Sequence, residues 1–329
     1  MLALTREDVR RLVPMPDAIE LMKTAFSELS AGRTVSPLRT VIPVEAHHGD
    51  ALFMPAHVPA MDVLGLKVVS VFKDNTAKGL PVIHALVCLI DSETGQPVAI
   101  MDGTYLTALR TGAVSGAATD LLARPDSRTL VAIGAGAQGA TQIAAVCAVR
   151  PIERIIAVDL FPQALERLKG MLARDWPDVL DRLETSDDAN AAVREADVIC
   201  TATTSKNPVF DDANVRPGTH VNAVGAYTPE MQELPAGLVA RATVTVDAVE
   251  PALAEAGDLI IPLEQGLVDR GHFSRELGMV AAGTVPGRSR DDEVTLFKSV
   301  GNAVQDVVVA RRAYDRAGET GAGTSFELG

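Results

Sequence analysis

The stretch from Arg128 to Leu160 limits the fold more than any other. An apolar run, Leu130-Val131-Ala132-Ile133, enters Gly134-Ala135-Gly136-Ala137-Gln138-Gly139 and leaves through an alanine-rich amphipathic segment. This is the order strand, glycine turn, helix, with the glycines spaced G-x-G-x-x-G. The first glycine permits a tight turn, the second lets a pyrophosphate approach the backbone, and the third lets helix pack on strand. A second apolar run, Ile155-Ile156-Ala157-Val158, ends in Asp159, 20 residues beyond Gly139, where a ribose-binding acid belongs. Together these elements predict a dinucleotide site. Asp159 would accept hydrogen bonds from both adenosine ribose hydroxyls and repel a 2′-phosphate, and Leu160-Phe161-Pro162 supply no Arg or Lys to receive one. NAD(H) is therefore favoured over NADP(H).

A chain of 329 residues exceeds one ordinary core and suits two domains. Its 47% hydrophobic content with only 4% aromatic residues describes a core of Ala, Val, Leu and Ile, as in α/β layers. A net charge of −13 argues against nucleic acid or an anionic membrane as partner, because neutralising phosphates takes clustered Lys and Arg. Cys88, Cys147 and Cys200 each sit in an apolar run without metal-like spacing, which reads as reduced thiols and no metal. No secretory signal is seen, and no apolar run reaches the roughly 18 residues that span a bilayer, so a cytoplasmic location is expected.

Residues 5–31 carry two helical patterns broken at Pro14 and Pro16, and short strands follow from Val35 to about residue 99. Lys67 stands in the apolar strand Gly65–Val71, and alternation alone makes it an outward-facing side chain; Arg39 has the same ambiguity. His47 and His48, beside Gly49-Asp50, read as turn residues. A helix over 102–123 brings Arg110 and Thr111 close to the dinucleotide strand, placed to meet a phosphate or carboxylate. After Asp159 the βα alternation continues, and the strand 197–202 exits into the hydroxyl-rich turn Thr201–Ser205, at the end of a strand where open α/β sheets bind ligands. Residues 291–315 read as one long helix with Val294, Leu296, Phe297, Val300, Val304 and Val307 on its apolar face, and the tail after Ala317 reads as mobile.

Several motifs together make the chain resemble the ornithine cyclodeaminase/μ-crystallin family over nearly its whole length. They are Met54-Pro55, Gly65-Leu66-Lys67, Gly79-Leu80-Pro81, Asp91 through Gly95-Gln96-Pro97, Leu106 to Thr111, Gly134 to Gln138, Gly257-Asp258, and Thr295 to Gly301 with Asp306. The resemblance implies an α/β fold in which residues 119–304 form a Rossmann-type NAD(P)-binding domain. Residues 1–118 with 305–329 form an α+β substrate-binding and dimerisation domain, giving a homodimer. Family members bind a small amino or imino acid. Carried over, Arg39 and Arg110 hold the substrate carboxylate, Lys67 orients or protonates the reacting nitrogen, and Val82 and Val300 line the pocket. Arg110, Thr111, Gly134, Gly136, Ala137, Gln138, Asp159, Thr201, Thr203, Val224 and Ser299 line the cofactor.

One departure shapes the functional expectation. The cyclodeaminases carry an Asp where this chain has Tyr227, and a phenol with a pKa of about 10 is a poor base at neutral pH. A Thr that contacts ornithine in those enzymes corresponds to Val82. Reductase members lack that Asp and need a carboxylate clamp, a proton for nitrogen and a hydride. The expectation is an NAD(P)H-dependent reductase of a small imino acid, with Tyr227 shaping the catalytic pocket. Ornithine cyclodeaminase, an alanine dehydrogenase-like enzyme and a non-catalytic μ-crystallin-like binder are the alternatives.

Overall fold

The computed structural model describes residues 1–327. Six strands come first: β1 (Leu2–Leu4), β2 (Thr40–Val44), β3 (Gly49–Val58), β4 (Val63–Phe72), β5 (Ile83–Ile90) and β6 (Pro97–Asp102). Seven more are β7 (Thr129–Ile133), β8 (Arg154–Val158), β9 (Leu183–Ser186), β10 (Val198–Thr201), β11 (His220–Ala223), β12 (Thr243–Val246) and β13 (Thr295–Lys298), followed by β14 (Thr324–Ser325). The chain divides into two compact units, one built from Met1–Arg110 and the segment from Asn302 onward, the other from Thr111–Gly301. The family resemblance implied junctions at 118/119 and 304/305; the division at 110/111 falls inside the same helix, Gly103–Leu122, as the first of these.

The first unit holds a seven-stranded sheet in the order β14-β1-β6-β5-β4-β3-β2. The β1–β6 pair is parallel and the others are antiparallel. Along β4 burial alternates, with Val63, Gly65, Lys67 and Val69 on the covered face. The outward placement that alternation alone gave Lys67 is therefore overturned: its parity along the strand is that of the core residues. The helix Ala303–Thr320 lies against this strand, and Gly65 lets it come close. A Cβ on Gly65 would stand 2.9 Å from Val307 Cγ1 and 2.8 Å from the Cys88 carbonyl.

The second unit is an all-parallel sheet in the order β12-β13-β11-β10-β7-β8-β9. The single long helix expected over 291–315 is two elements. Residues 295–298 form β13, inserted between β11 and β12 and buried on both faces, and the helix starts only at Ala303. A short apolar run buried on both sides has no period that separates strand from helix. The break is set by Gly301, with φ +83°, and by Asn302, whose side chain caps Val304 N–H while Gln305 returns a bond to the Asn302 amide. The tail is not loose either, because β14 pairs with β1 and the Met1 amino group donates to the Phe326 carbonyl.

His220 on β11 is fully buried, bonded through Nδ1 to Thr295 Oγ1 at 2.9 Å and through Nε2 to Asn222 Oδ1 at 3.2 Å. Burial, then the Arg288 charge, lowers its pKa to about 3. The folded chain thus keeps this ring neutral where the unfolded chain protonates it below about pH 6.5, so stability contributed above that pH is lost as pH falls. From pH 7 to pH 5 the expected loss from this group is about 2 kcal/mol. Urea unfolding at the two pH values checks it, and His220→Gln should flatten the dependence.

Candidate active site

In the first unit, Lys67 sits mid-strand on β4, opposite Met54 of β3 and Val87 of β5, and is 1% exposed. Its Nζ lies 2.7 Å from Asp306 Oδ2. Arg110, from the helix Gly103–Leu122, donates through Nε to Asp306 Oδ1 at 3.0 Å and through Nη1 to Gln305 Oε1 at 2.7 Å. Arg39, half-buried ahead of β2, adds a third positive charge close enough to act on Lys67. Burial lowers the Lys67 pKa to about 7; Asp306 resists this shift, while Arg110 and Arg39 reinforce it. A lysine of this kind gives or takes a proton near neutrality, whereas an ordinary surface lysine holds its proton to far higher pH. Lys67 and Arg110 are thus brought together on a carboxylate to which the sequence reading gave no role, with Arg39 near enough for its charge to act on the lysine. The signal for it was a lone acid in the apolar run Val304 to Val309. Val82 is not brought to this group. It lies opposite Phe72, whose N–H donates to its carbonyl at 2.8 Å, five residues along β4 from Lys67 or about 16 Å.

In the second unit, a cleft of about 600 Å³ opens at the carboxyl ends of β7, β8 and β10, the point where strand order reverses. Gly134, Gly136, Asp159 and Thr203 line it. Gly134 has φ +104°, and a Cβ there would come within 2.6 Å of the Ala202 carbonyl. A Cβ on Gly139 would reach 2.1 Å from the Gly134 carbonyl, so this glycine serves helix packing. Around Gly136 nothing lies within 4 Å of the Cβ position. That open space beside the first turn of the helix Ala137–Val149 fits a pyrophosphate, which the free N–H groups of a helix start receive. Asp159 is pinned by two amides, Ala135 N–H at 2.8 Å and Phe161 N–H at 3.0 Å. Leu160 and Phe161, 79% and 66% exposed, form an apolar rim, and Asp187 adds a second acid that the sequence reading missed. The residues present therefore fit an adenine dinucleotide.

Other expected contacts are turned inward. Thr201 is fully buried and donates to Glu233 Oε2 at 3.0 Å, and Ser299 is 2% exposed and donates to Asp247 Oδ2 at 2.8 Å. Val300 N–H bonds the same Asp247 oxygen at 2.9 Å, and the Thr111 carbonyl accepts from Gln142 Nε2 at 3.2 Å. Ala137 and Gln138 open the helix beside Gly136, and Val224 N–H bonds the Thr201 carbonyl at 3.0 Å. Glu233 is a prop the sequence did not announce. Its carboxylate accepts from Thr201 Oγ1, Thr203 N–H, Thr203 Oγ1, Gly225 N–H and Ala226 N–H, tying the ends of β10 and β11 together. Burial, then the Asp258 charge, raises its pKa, and Asp258 is itself paired with the buried Lys298 at 2.8 Å. Tyr227, in the loop after β11, is 43% exposed, with Glu230 exposed three residues on.

A parallel α/β sheet with fingerprint glycines and a pinned acid at its switch point defines a dinucleotide-binding protein. The chain belongs to the Ornithine cyclodeaminase/mu-crystallin family, whose model matches residues 1–321. It is 42% identical over 329 residues to a Δ1-pyrroline-2-carboxylate reductase of Bacillus cereus, covering 100% of both chains. The Thermococcus litoralis Δ1-pyrroline-2-carboxylate reductase, solved with NADH and L-proline, is 42% identical with a TM-score of 0.93, covering 99% of this chain and 100% of that one. An archaeal alanine dehydrogenase dimer with bound NAD is 35% identical with a TM-score of 0.91, covering 100% and 99%.

Proposed function

We propose that this chain is an NAD(P)H-dependent reductase of a small cyclic imino acid of the Δ1-pyrroline-2-carboxylate type, forming the L-amino acid. The observation that carries the reading is the buried pair Lys67 and Arg110 on one carboxylate, with the half-buried Arg39 acting on a lysine that exchanges its proton near pH 7. Reduction of a C=N bond adds a hydride at carbon and a proton at nitrogen. Nicotinamide, when bound, supplies the hydride. The guanidinium groups of Arg39 and Arg110 suit a carboxylate, Arg110 already being oriented by Asp306 and Gln305. Lys67, as the ammonium, delivers the proton to the ring nitrogen and is left neutral. Position 227 carries a phenol rather than a carboxylate, and position 82 a valine, which suits a substrate with no second amine. The similarity to two Δ1-pyrroline-2-carboxylate reductases, one of them solved with NADH and L-proline, supports the same reading.

The test supplies purified protein with Δ1-pyrroline-2-carboxylate and NADH and follows nicotinamide absorbance and proline together; stoichiometric conversion is expected. Ammonia release from ornithine without net redox change would replace this reading with a cyclodeaminase. Net reduction of NAD⁺ by alanine would replace it with an amino-acid dehydrogenase.

NAD(H) is the cofactor we favour, on the strength of Asp159 and the added Asp187 at the adenosine end of the cleft. NADH should bind at least about tenfold more tightly than NADPH, since a 2′-phosphate would meet two carboxylates. Fluorescence titration measures the ratio, and the pair Asp159→Ser with Asp187→Ser should bring it close to unity. A homodimer is supported by exposed Leu38, Val41 and Ile42 at and beside the edge strand β2. No helix among the described residues is long and apolar enough to cross a membrane, and the three free cysteines, Cys147 pushed up to about 11 and Cys200 to about 12 by burial, suit a reducing cytoplasm.

A further inference from the structure

Three cations, Arg39, Lys67 and Arg110, crowd one region of the first unit, and two of them touch a single carboxylate. Asp306 spans the pair, with Oδ2 2.7 Å from the Lys67 ammonium and Oδ1 accepting from Arg110 Nε at 3.0 Å, and it is fully buried. It is held on a rigid support. The capping box of Asn302 and Gln305 fixes the first turn of its helix, and Gln305 Oε1 also accepts from Arg110 Nη1. Gly65, two residues before Lys67 on the same face, lets that helix approach the strand closely enough for the carboxylate to reach the lysine.

We propose that Asp306 is the positioning residue of this basic site: one carboxylate that fixes the Lys67 ammonium and the Arg110 guanidinium and supplies the charge that lets Lys67 carry a proton. The groups acting on Lys67 are Asp306 from the helix Ala303–Thr320, Arg110 from the helix Gly103–Leu122 and Arg39 from the segment before β2. Remove the negative charge and three cations remain. Arginine does not release its proton, so lysine must. Lys67 would then be neutral at physiological pH and have no proton to give. This rests on the reading that the site binds a carboxylate next to a nitrogen, but its test needs no turnover.

The probe is pyrrole-2-carboxylate, a planar anion that cannot be reduced, with its dissociation constant measured by calorimetry from pH 5.5 to 9. In the parent protein, affinity is expected to fall as pH rises through a break near 7, the value for Lys67. In Asp306→Asn the break should move down by more than about one pH unit, and binding at pH 7.5 should weaken roughly tenfold or more. Asp306→Glu keeps the charge one methylene away: its break should stay within about half a unit of the parent's while affinity drops. In Lys67→Met the break should vanish, and adding Asp306→Asn should restore no pH dependence. If Asp306→Asn weakens binding equally at every pH with the break unmoved, Asp306 is only scaffold and the proposal fails. Should that variant not fold, Asp306→Glu decides, since a break displaced as far as a lost charge requires would refute the assignment. Absence of binding or of a break in the parent also overturns it. A parent that binds with the expected break yet reduces no imine would sink the reductase reading alone.

Discussion

Replacing Lys67 with methionine is expected to slow imine reduction by about a hundred- to ten-thousand-fold, the contribution of a positioned general acid. Methionine matches the length and apolar stem of lysine, and Asp306 keeps Arg110 as a partner, so the buried carboxylate is not left alone. The pH dependence separates loss of an acid from general damage. With a Lys67 pKa of about 7, the protonated fraction falls tenfold per unit above that value, so reduction should decline as pH rises. Proline oxidation, which needs the neutral amine to take a proton, should rise over the same range. Steady-state rates in both directions from pH 6 to 9 give the two slopes. Any limb that survives in Lys67→Met belongs to the substrate.

The second large effect is expected at Gly136. A side chain there meets nothing in the protein but fills the space proposed for the pyrophosphate, so Gly136→Val should cut NADH affinity by at least about a hundredfold. Because Gly136 caps a helix with ordinary negative φ, the stability cost should stay within about 1 kcal/mol. Gly139→Ala should behave in the opposite sense. Its Cβ would overlap the Gly134 carbonyl, and a loss of about 1–3 kcal/mol in unfolding free energy is expected. Thermal melts alongside fluorescence titration distinguish the two, although both glycines belong to one six-residue motif.

The dinucleotide half was readable because its signals are local. Gly134, Gly136 and Asp159 act through backbone conformation, open space and a fixed strand order, all of which spacing encodes, and each lines the cleft. Thr203 followed from its place at a strand end. Thr201 and Ser299, expected along the cofactor, have hydroxyls bonded to Glu233 and Asp247, and no local pattern announces which distant acid a hydroxyl will meet. The buried set Glu233, Asp258 and Lys298 was invisible because its members lie 25 and 40 residues apart and pair only after folding. Lys67 was misread by alternation, since strand parity gives two faces without saying which one is covered. Its carboxylate partner, 239 positions later, could not be paired with it before the helix had a place. Mistaking β13 for helix had the same root, a run too short and too uniformly apolar to show a period.

The order of synthesis gives the two units unequal histories. The dinucleotide unit is one continuous stretch, while its companion needs segments from either side of it. A nascent chain can therefore complete the nucleotide half while β4 still lacks the helix that covers it. During that interval Lys67 is a solvated amine without its counter-ion, and the basic pocket does not exist. On the proposed reading, the proton donor is completed late, when the helix carrying Asp306 covers the sheet, so an arrested chain would hold a finished nucleotide fold and a lysine without its counter-ion.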